Sequence, residues 1–233
     1  MSAQFACFVT GTDTEIGKTL ISSALVHALC QTGLKAVGMK PVAAGASLQD
    51  GVWHNDDVDR LAQASNLHLP QALTAPYLLR QATAPHIAAK QEGVSIEIAH
   101  ILDCYGQLLR LAEAVVVEGV GGFRVPLSDG ADTADLAQRL DLPVILVVGL
   151  RLGCLNHALL TVDEIAARGL VLAGWVANVV DIGMPYLEDN IEALEARINA
   201  PLLGRVPRLA LPSAAEAAMH LDFSVLPGWP KLD

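Results

Sequence analysis

The sequence predicts an α/β protein in which a mostly parallel central sheet carries helices on both faces. Several runs are apolar without alternation, as strands buried on both faces require. These runs alternate with segments of helical period, the pattern of strand–helix–strand units. Each polar or glycine-rich motif also follows directly after a strand, where ligands bind in such folds. In chain order the expected strands are Phe5–Thr10, Ala36–Lys40, Ala114–Glu118, Pro143–Val148, Leu172–Asn178 and Leu202–Val206. The expected helices are Thr19–Thr32, Ile96–Glu113, Thr133–Arg139, Asn156–Arg168 and Tyr186–Ile198. The stretch Ala43 to Pro76 is polar and irregular, with a short helix expected around Val58–Ala64. The proline-containing segment after Pro207 reads as a wrapping tail, and one domain over residues 1–233 is the simplest organisation.

Bulk composition narrows the function. Apolar residues make up 52% and charged residues 17% of the 233, a globular composition. The longest apolar run, Leu142–Leu150, has the length of a buried strand and falls far short of a membrane span. Phe5–Val9 leads straight into a glycine turn with no basic, apolar and cleavage regions before it, so a cytoplasmic protein is expected. Cys7, Cys30, Cys104 and Cys154 lack metal-ligand spacing and read as free thiols of a reducing compartment. A formal net charge of −10 argues against a broad nucleic-acid surface, though not against a local phosphate site.

The sharpest motif runs from Gly11 through Thr12, Asp13, Thr14, Glu15, Ile16 and Gly17 to Lys18 and Thr19, between an apolar strand and an apolar helix. Successive backbone N–H groups at a helix start cradle phosphate, and Gly17 lets the backbone come close. Lys18 would reach the β- and γ-phosphates, and the Thr19 hydroxyl would ligate Mg²⁺. Five residues separate Gly11 from Gly17 where the common loop has four, so this is a variant P-loop and the fold is P-loop NTPase-like. Mg²⁺ takes one or two carboxylates besides phosphate and water oxygens. Glu118, ending its strand before Gly119, Val120, Gly121 and Gly122, is well placed for that role. Asp56, Asp57 and Asp59 form a second acidic cluster.

The loop, Lys40-Pro41-Val42-Ala43, Thr83-Ala84-Pro85-His86, Glu118 to Gly122 and Trp175-Val176-Ala177-Asn178 stand in the order seen in dethiobiotin synthetases. Leu142 to Gly149, Leu152 to Ala158 and Ala200 to Gly204 resemble that family as well, so the resemblance spans nearly the whole chain. It implies an ATP- and Mg²⁺-dependent ligase of biotin synthesis that joins CO₂ to 7,8-diaminononanoate. ATP phosphorylates a carbamate, and ring closure gives dethiobiotin, ADP and phosphate. The same resemblance makes Thr19, Asp57 and Glu118 the metal-side oxygens, with Asp56 a rival of Asp57. Thr14, Glu15, Ile16, Gly17, Lys18, Gly119, Val120 and Gly121 would surround the phosphates. Asn178, with Val206, Pro207 and Arg208 across the pocket, would meet adenine; an amide edge can answer its donor–acceptor pair. Lys40 and Lys18 are the catalytic candidates, Lys40 as the cation for carbamate and transferring phosphoryl group. Ala44, Gly153, Asn156 and Tyr186 fall at substrate positions. The turn at Gly153 and a partner-chain Tyr186 would serve the carboxylate across a homodimer interface, and Asn156 could equally be a helix cap.

Some positions depart from that pattern. Ala44 lacks the hydroxyl common there, Val179 follows Asn178 in place of an acid, Arg208 replaces an aromatic, and Val120 replaces Ala. These leave room for a paralogous P-loop ligase with another substrate. A partitioning-type ATPase is the rival of another class, but it would place a lysine early in the loop where Thr12 and Asp13 stand. Amidotransferase-linked synthetases share the variant loop and carry a further glutaminase domain. His86 reads as a structural hydrogen-bonding residue and His157 as a packing or capping one. Trp53, Trp175 and Trp229 show no stacking pattern in the sequence.

Overall fold

A computed structural model describes residues 5–230. Residues 1–4 and 231–233, the ends of the single-domain expectation, lie outside them. The central sheet contains β1 (Phe5–Gly11), β2 (Ala36–Met39), β7 (Ala114–Glu118), β8 (Val144–Leu150), β9 (Leu172–Val179) and β10 (Leu202–Val206). Its order is β10-β9-β8-β1-β7-β2 and every pairing is parallel. All six expected strands are present.

Alternate residues of each strand feed opposite cores. In β7, Val115 and Val117 pack on the face that carries α5 (Ile98–Leu111) and α6 (Thr133–Leu140). Ala114 and Val116 face α1 (Lys18–Gln31) on the other side. A third cluster lies between β8, β9, α7 (Cys154–Ala167) and α8 (Leu187–Glu195), built on the buried Trp175. This two-sided burial is the reason the strands read as unbroken apolar runs.

The segment between β2 and α5 is more ordered than the sequence suggests. It holds β3 (Val42–Ala44), β4 (Ser47–Gln49), β5 (Val52–His54), α2 (Asp56–Ala64), α3 (Gln71–Thr74), β6 (Tyr77–Leu79) and α4 (Pro85–Glu92). β4 and β5 form an antiparallel hairpin whose turn places Asp50 at φ 50° and Gly51 at φ 82°. Two left-handed residues in succession are what Asp-Gly provides in a two-residue hairpin turn. α2 starts at Asp56 because the Asn55 side chain accepts from the backbone N–H groups of Asp57 and Val58. After β10, the short helix α9 (Ala214–Ala218) packs on α1, and the tail folds back over β1. There Trp229 stacks on Phe223 with ring centroids 5.3 Å apart and meets Phe5 edge-on at 5.4 Å. The absence of a stacking role for Trp229 is thus corrected: its partners are remote in sequence, so no local pattern announces them.

Candidate active site

The phosphate loop leaves β1 at the carboxyl edge of the sheet, beside its centre. Its curvature depends on close packing: a Cβ on Gly11 would come within 2.7 Å of Ile16 Cδ1, and one on Gly149 within 2.5 Å of Ile16 Cγ2. Ile16 is therefore a buried keel beneath the loop rather than a cleft-lining residue. Glu15 at φ 56° and Gly17 at φ 91° turn the chain into α1. Asn178, at the end of β9, donates through Nδ2 to Ile16 O at 2.7 Å. Its amide supports the loop from behind, and a Cβ on Gly17 would lie 2.3 Å from that nitrogen.

Three segments converge just past the loop. The Thr19 hydroxyl lies 2.6 Å from Asp57 Oδ1 and 2.8 Å from Glu118 Oε1. Lys40 Nζ donates to Glu118 Oε1 at 2.6 Å and Gly119 O at 3.0 Å, and lies 2.9 Å from Asp57 Oδ2. Glu118 is fully buried and Lys40 is 3% exposed, so their charges stand in a low-dielectric setting where pairing is strong. Glu118 Oε2 is buried and has no hydrogen-bond partner among the described residues. A buried carboxylate oxygen left unpaired is costly, and a cation or water would satisfy it. The two carboxylates and the Thr19 hydroxyl form the hard-oxygen donor set that Mg²⁺ takes alongside phosphate. Asp57 makes these contacts, whereas Asp56 is exposed and lines the cleft without them.

The lysines differ electrostatically. Burial and the charge of Lys40 pull the Lys18 ammonium down to about 8, against the opposing pull of Glu118, Asp57 and Asp13. For Lys40 burial acts in the same direction, but Glu118 and Asp57 outweigh it and raise the pKa above the ordinary lysine value. Asp57 is held below the usual carboxylate range: burial would raise it, but Lys40 and the Thr19 hydrogen bond prevail. Lys40 is therefore held as a cation beside the Asp57 carboxylate.

A cleft of about 720 Å³ opens over this cluster, lined by Thr14, Glu15, Gly17, Lys18 and Thr19 on one side and by Lys40, Ala44 and Asp57 on another. Val120 and Gly121 close it, and Gly119 reaches it through the carbonyl bound to Lys40. Arg60 and Thr83 also line it. The sequence reading missed Arg60, although it stands one helical turn after Asp56 on α2.

The other expected contacts lie outside this cleft. β10 pairs with β9 so that Val206 lies opposite Asn178, and Pro207 and Arg208 leave the sheet exposed beside it. Val206 itself turns into the core and can face a ligand only with its backbone. Gly153, at φ 96°, is the residue before α7; the helix begins at Cys154, so Asn156 sits exposed in the first turn. The capping reading of Asn156 is corrected accordingly, since Gly153 holds that position. His157 is exposed and packs against nothing that would bury it. Tyr186, at φ 54°, precedes α8 and is 77% exposed.

A variant phosphate loop on the central strand of a parallel sheet, with a hydroxyl, two carboxylates and two lysines around it, defines a P-loop ATP-binding protein. Solved structures agree on the fold. The ParA family ATPase from Chlorobium tepidum TLS aligns with a TM-score of 0.56 at 16% identity, covering 89% of this chain and 86% of its own. The septum site-determining protein MinD from Pyrococcus horikoshii OT3 aligns with a TM-score of 0.53 at 17% identity, covering 98% and 88%. A family model described as an AAA domain matches residues 6–216. The ATP-dependent dethiobiotin synthetase BioD of Janthinobacterium sp. (strain Marseille) is 68% identical over 99% of this chain and 100% of its own length. The chain belongs to the ATP-dependent dethiobiotin synthetase family.

Proposed function

We propose that this protein is a cyclo-ligase that uses ATP to convert 7,8-diaminononanoate and CO₂ into dethiobiotin, with release of ADP and phosphate. The observation that carries the proposal is the 68% identity to a dethiobiotin synthetase over 99% of the chain. The cleft geometry supports it. A carbamate is a weak electrophile until one oxygen becomes a phosphate leaving group, so triphosphate and carbamate, both anions, must be held side by side. Lys18 meets the phosphate chain from the loop, while Lys40 faces the same cleft from the end of β2. Lys40 would neutralise the carbamate and the charge developing on the transferring phosphoryl group. The second amine then attacks the mixed anhydride, closing the cyclic urea and expelling phosphate.

Mg²⁺ bound by Thr19, Asp57 and Glu118 would screen the β- and γ-phosphate oxygens. Glu118, walled off from water, would keep its orientation through Lys40 as the nucleotide enters. Asn178 and the Val206–Arg208 segment frame the adenine position, where the Arg208 guanidinium can stack on a base. The substrate carboxylate would lie at the start of α7, whose first N–H groups favour an anion. A homodimer with its substrate site at the interface fits the apolar residues beside that turn. Leu152, Ile182 and Tyr186, at the carboxyl ends of adjacent strands or close beyond them, are 90%, 82% and 77% exposed. No helix among the described residues is long and apolar enough to cross a membrane, which fits a cytoplasmic enzyme.

Phosphate release from ATP and Mg²⁺, measured with and without diaminononanoate plus bicarbonate, tests the reading. Diamine-dependent release with dethiobiotin detected by mass spectrometry is expected. Hydrolysis indifferent to the diamine would move the chain to a paralogous ligase with another substrate.

A further inference from the structure

We infer that Arg151 is a positioning residue for the phosphate loop, acting through an ion pair with Asp13. Asp13 makes three contacts at once. Its carboxylate accepts from the Thr14 backbone N–H at 2.7 Å, its backbone carbonyl accepts from Lys18 Nζ at 2.8 Å, and its second carboxylate oxygen pairs with the Arg151 guanidinium. The residue that directs the Lys18 ammonium is thus tied to the sheet through Arg151. The tie is firm at the Arg151 end. Arg151 follows β8 directly, its carbonyl accepts from Cys154 N–H at 3.0 Å, and the Leu150 carbonyl beside it accepts from Asp181 N–H at 3.2 Å. Thr14 and Glu15, by contrast, are exposed, and the loop tip has no other ion pair among the described residues.

Two consequences follow for a triphosphate. The pair fixes the Asp13–Thr14 peptide, and with it the line along which Lys18 approaches the cleft. It also neutralises a carboxylate carried by the loop that is to receive the anion. The pair is half-exposed at both ends, so its contribution to global stability is small. Its effect should therefore appear in nucleotide binding rather than in folding.

The inference rests on the loop receiving ATP, as proposed above, and binding measured by calorimetry with ATP and Mg²⁺ needs no turnover. Arg151→Gln is expected to weaken ATP about tenfold, the scale of one lost charge-assisted contact, with an unchanged melting temperature. Arg151→Lys should recover most of the loss. Asp13→Asn combined with Arg151→Gln should bind no worse than the weaker single variant, because both remove the same tie. In steady-state assays the KM for ATP should rise while the KM for diaminononanoate stays put. Unchanged ATP affinity in Arg151→Gln, additive losses in the double variant, or a rise confined to the diamine KM would overturn the inference. Failure of the unaltered chain to bind ATP at all would overturn it together with the nucleotide reading. ATP binding without diamine-dependent turnover would sink only the substrate assignment, and the calorimetric comparison would still decide the role of Arg151.

Discussion

Lys40 and Glu118 form a buried ion pair in the candidate site, and the role of Lys40 can be tested by itself. Lys40→Gln removes the cation proposed to face the carbamate, while Lys18 and the rest of the loop keep their residues. Product formation should fall by at least about a hundredfold while ATP still binds, checked by mass spectrometry beside calorimetry. Normal turnover in that variant would remove Lys40 from the mechanism. The acidic cluster gives a second test. Asp57→Asn should weaken Mg²⁺-dependent ATP binding about tenfold or more, whereas exposed Asp56→Asn should leave it within about twofold. The reverse order would place the metal-side carboxylate at Asp56. The meeting of Thr19 with Glu118 was legible because each belongs to a spaced motif at the carboxyl end of a strand. The support of the loop by Asn178, and the tie between Asp13 and Arg151, were not legible. These contacts join residues brought together only by the assembled sheet, and nothing in local spacing marks them.

At the scale of elements, all six strands of the main sheet were legible, because burial on both faces writes itself as unbroken apolar sequence. The ribbon of β4 and β5 was missed for the opposite reason. β4 and β5 are exposed and three residues each, too short for a period to emerge, although Asp50-Gly51 was a usable turn signal. α4 also went unread, although Pro85 at its first position is a starting signal. Helix starts here depend on caps that can be tested singly. Asp132 caps α6 by accepting from Asp135 N–H at 3.0 Å, and the Asp135 carboxylate returns the bond to Asp132 N–H at 2.8 Å. Asp132→Ala should cost about 1 kcal/mol in chemical denaturation, with ATP affinity unchanged. An unaffected denaturation midpoint would show the reciprocal bonds to be replaced by solvent without loss.

For the whole molecule, the tail covers the start of the interior strand β1. Trp229 and Phe223 cover Phe5, so the last described residues shield the first strand. Trp229→Ala should destabilise the protein by about 2 kcal/mol, lowering the melting temperature by roughly 4–8 °C in a chain of this size. Catalytic constants at low temperature should be preserved, because the tail meets the N-terminal end of β1, remote from the loop. A loss of activity without a loss of stability would mean the tail acts on the site instead.

The strand order also has a consequence for synthesis on the ribosome. β1 is made first but sits between β7 and β8, so both of its neighbours emerge much later. By the time Glu118 has been polymerised, Lys18, Thr19, Lys40 and Asp57 already exist, and only one flank of β1 can pair. The carbonyl of Val147 that accepts from Thr12 N–H, the guanidinium of Arg151 and the amide of Asn178 do not yet exist. Such long-range pairing is slow to form. The nascent chain thus carries its reactive groups well before it carries the scaffold that aims them, and competence to grip phosphate should arise abruptly, once β9 has docked.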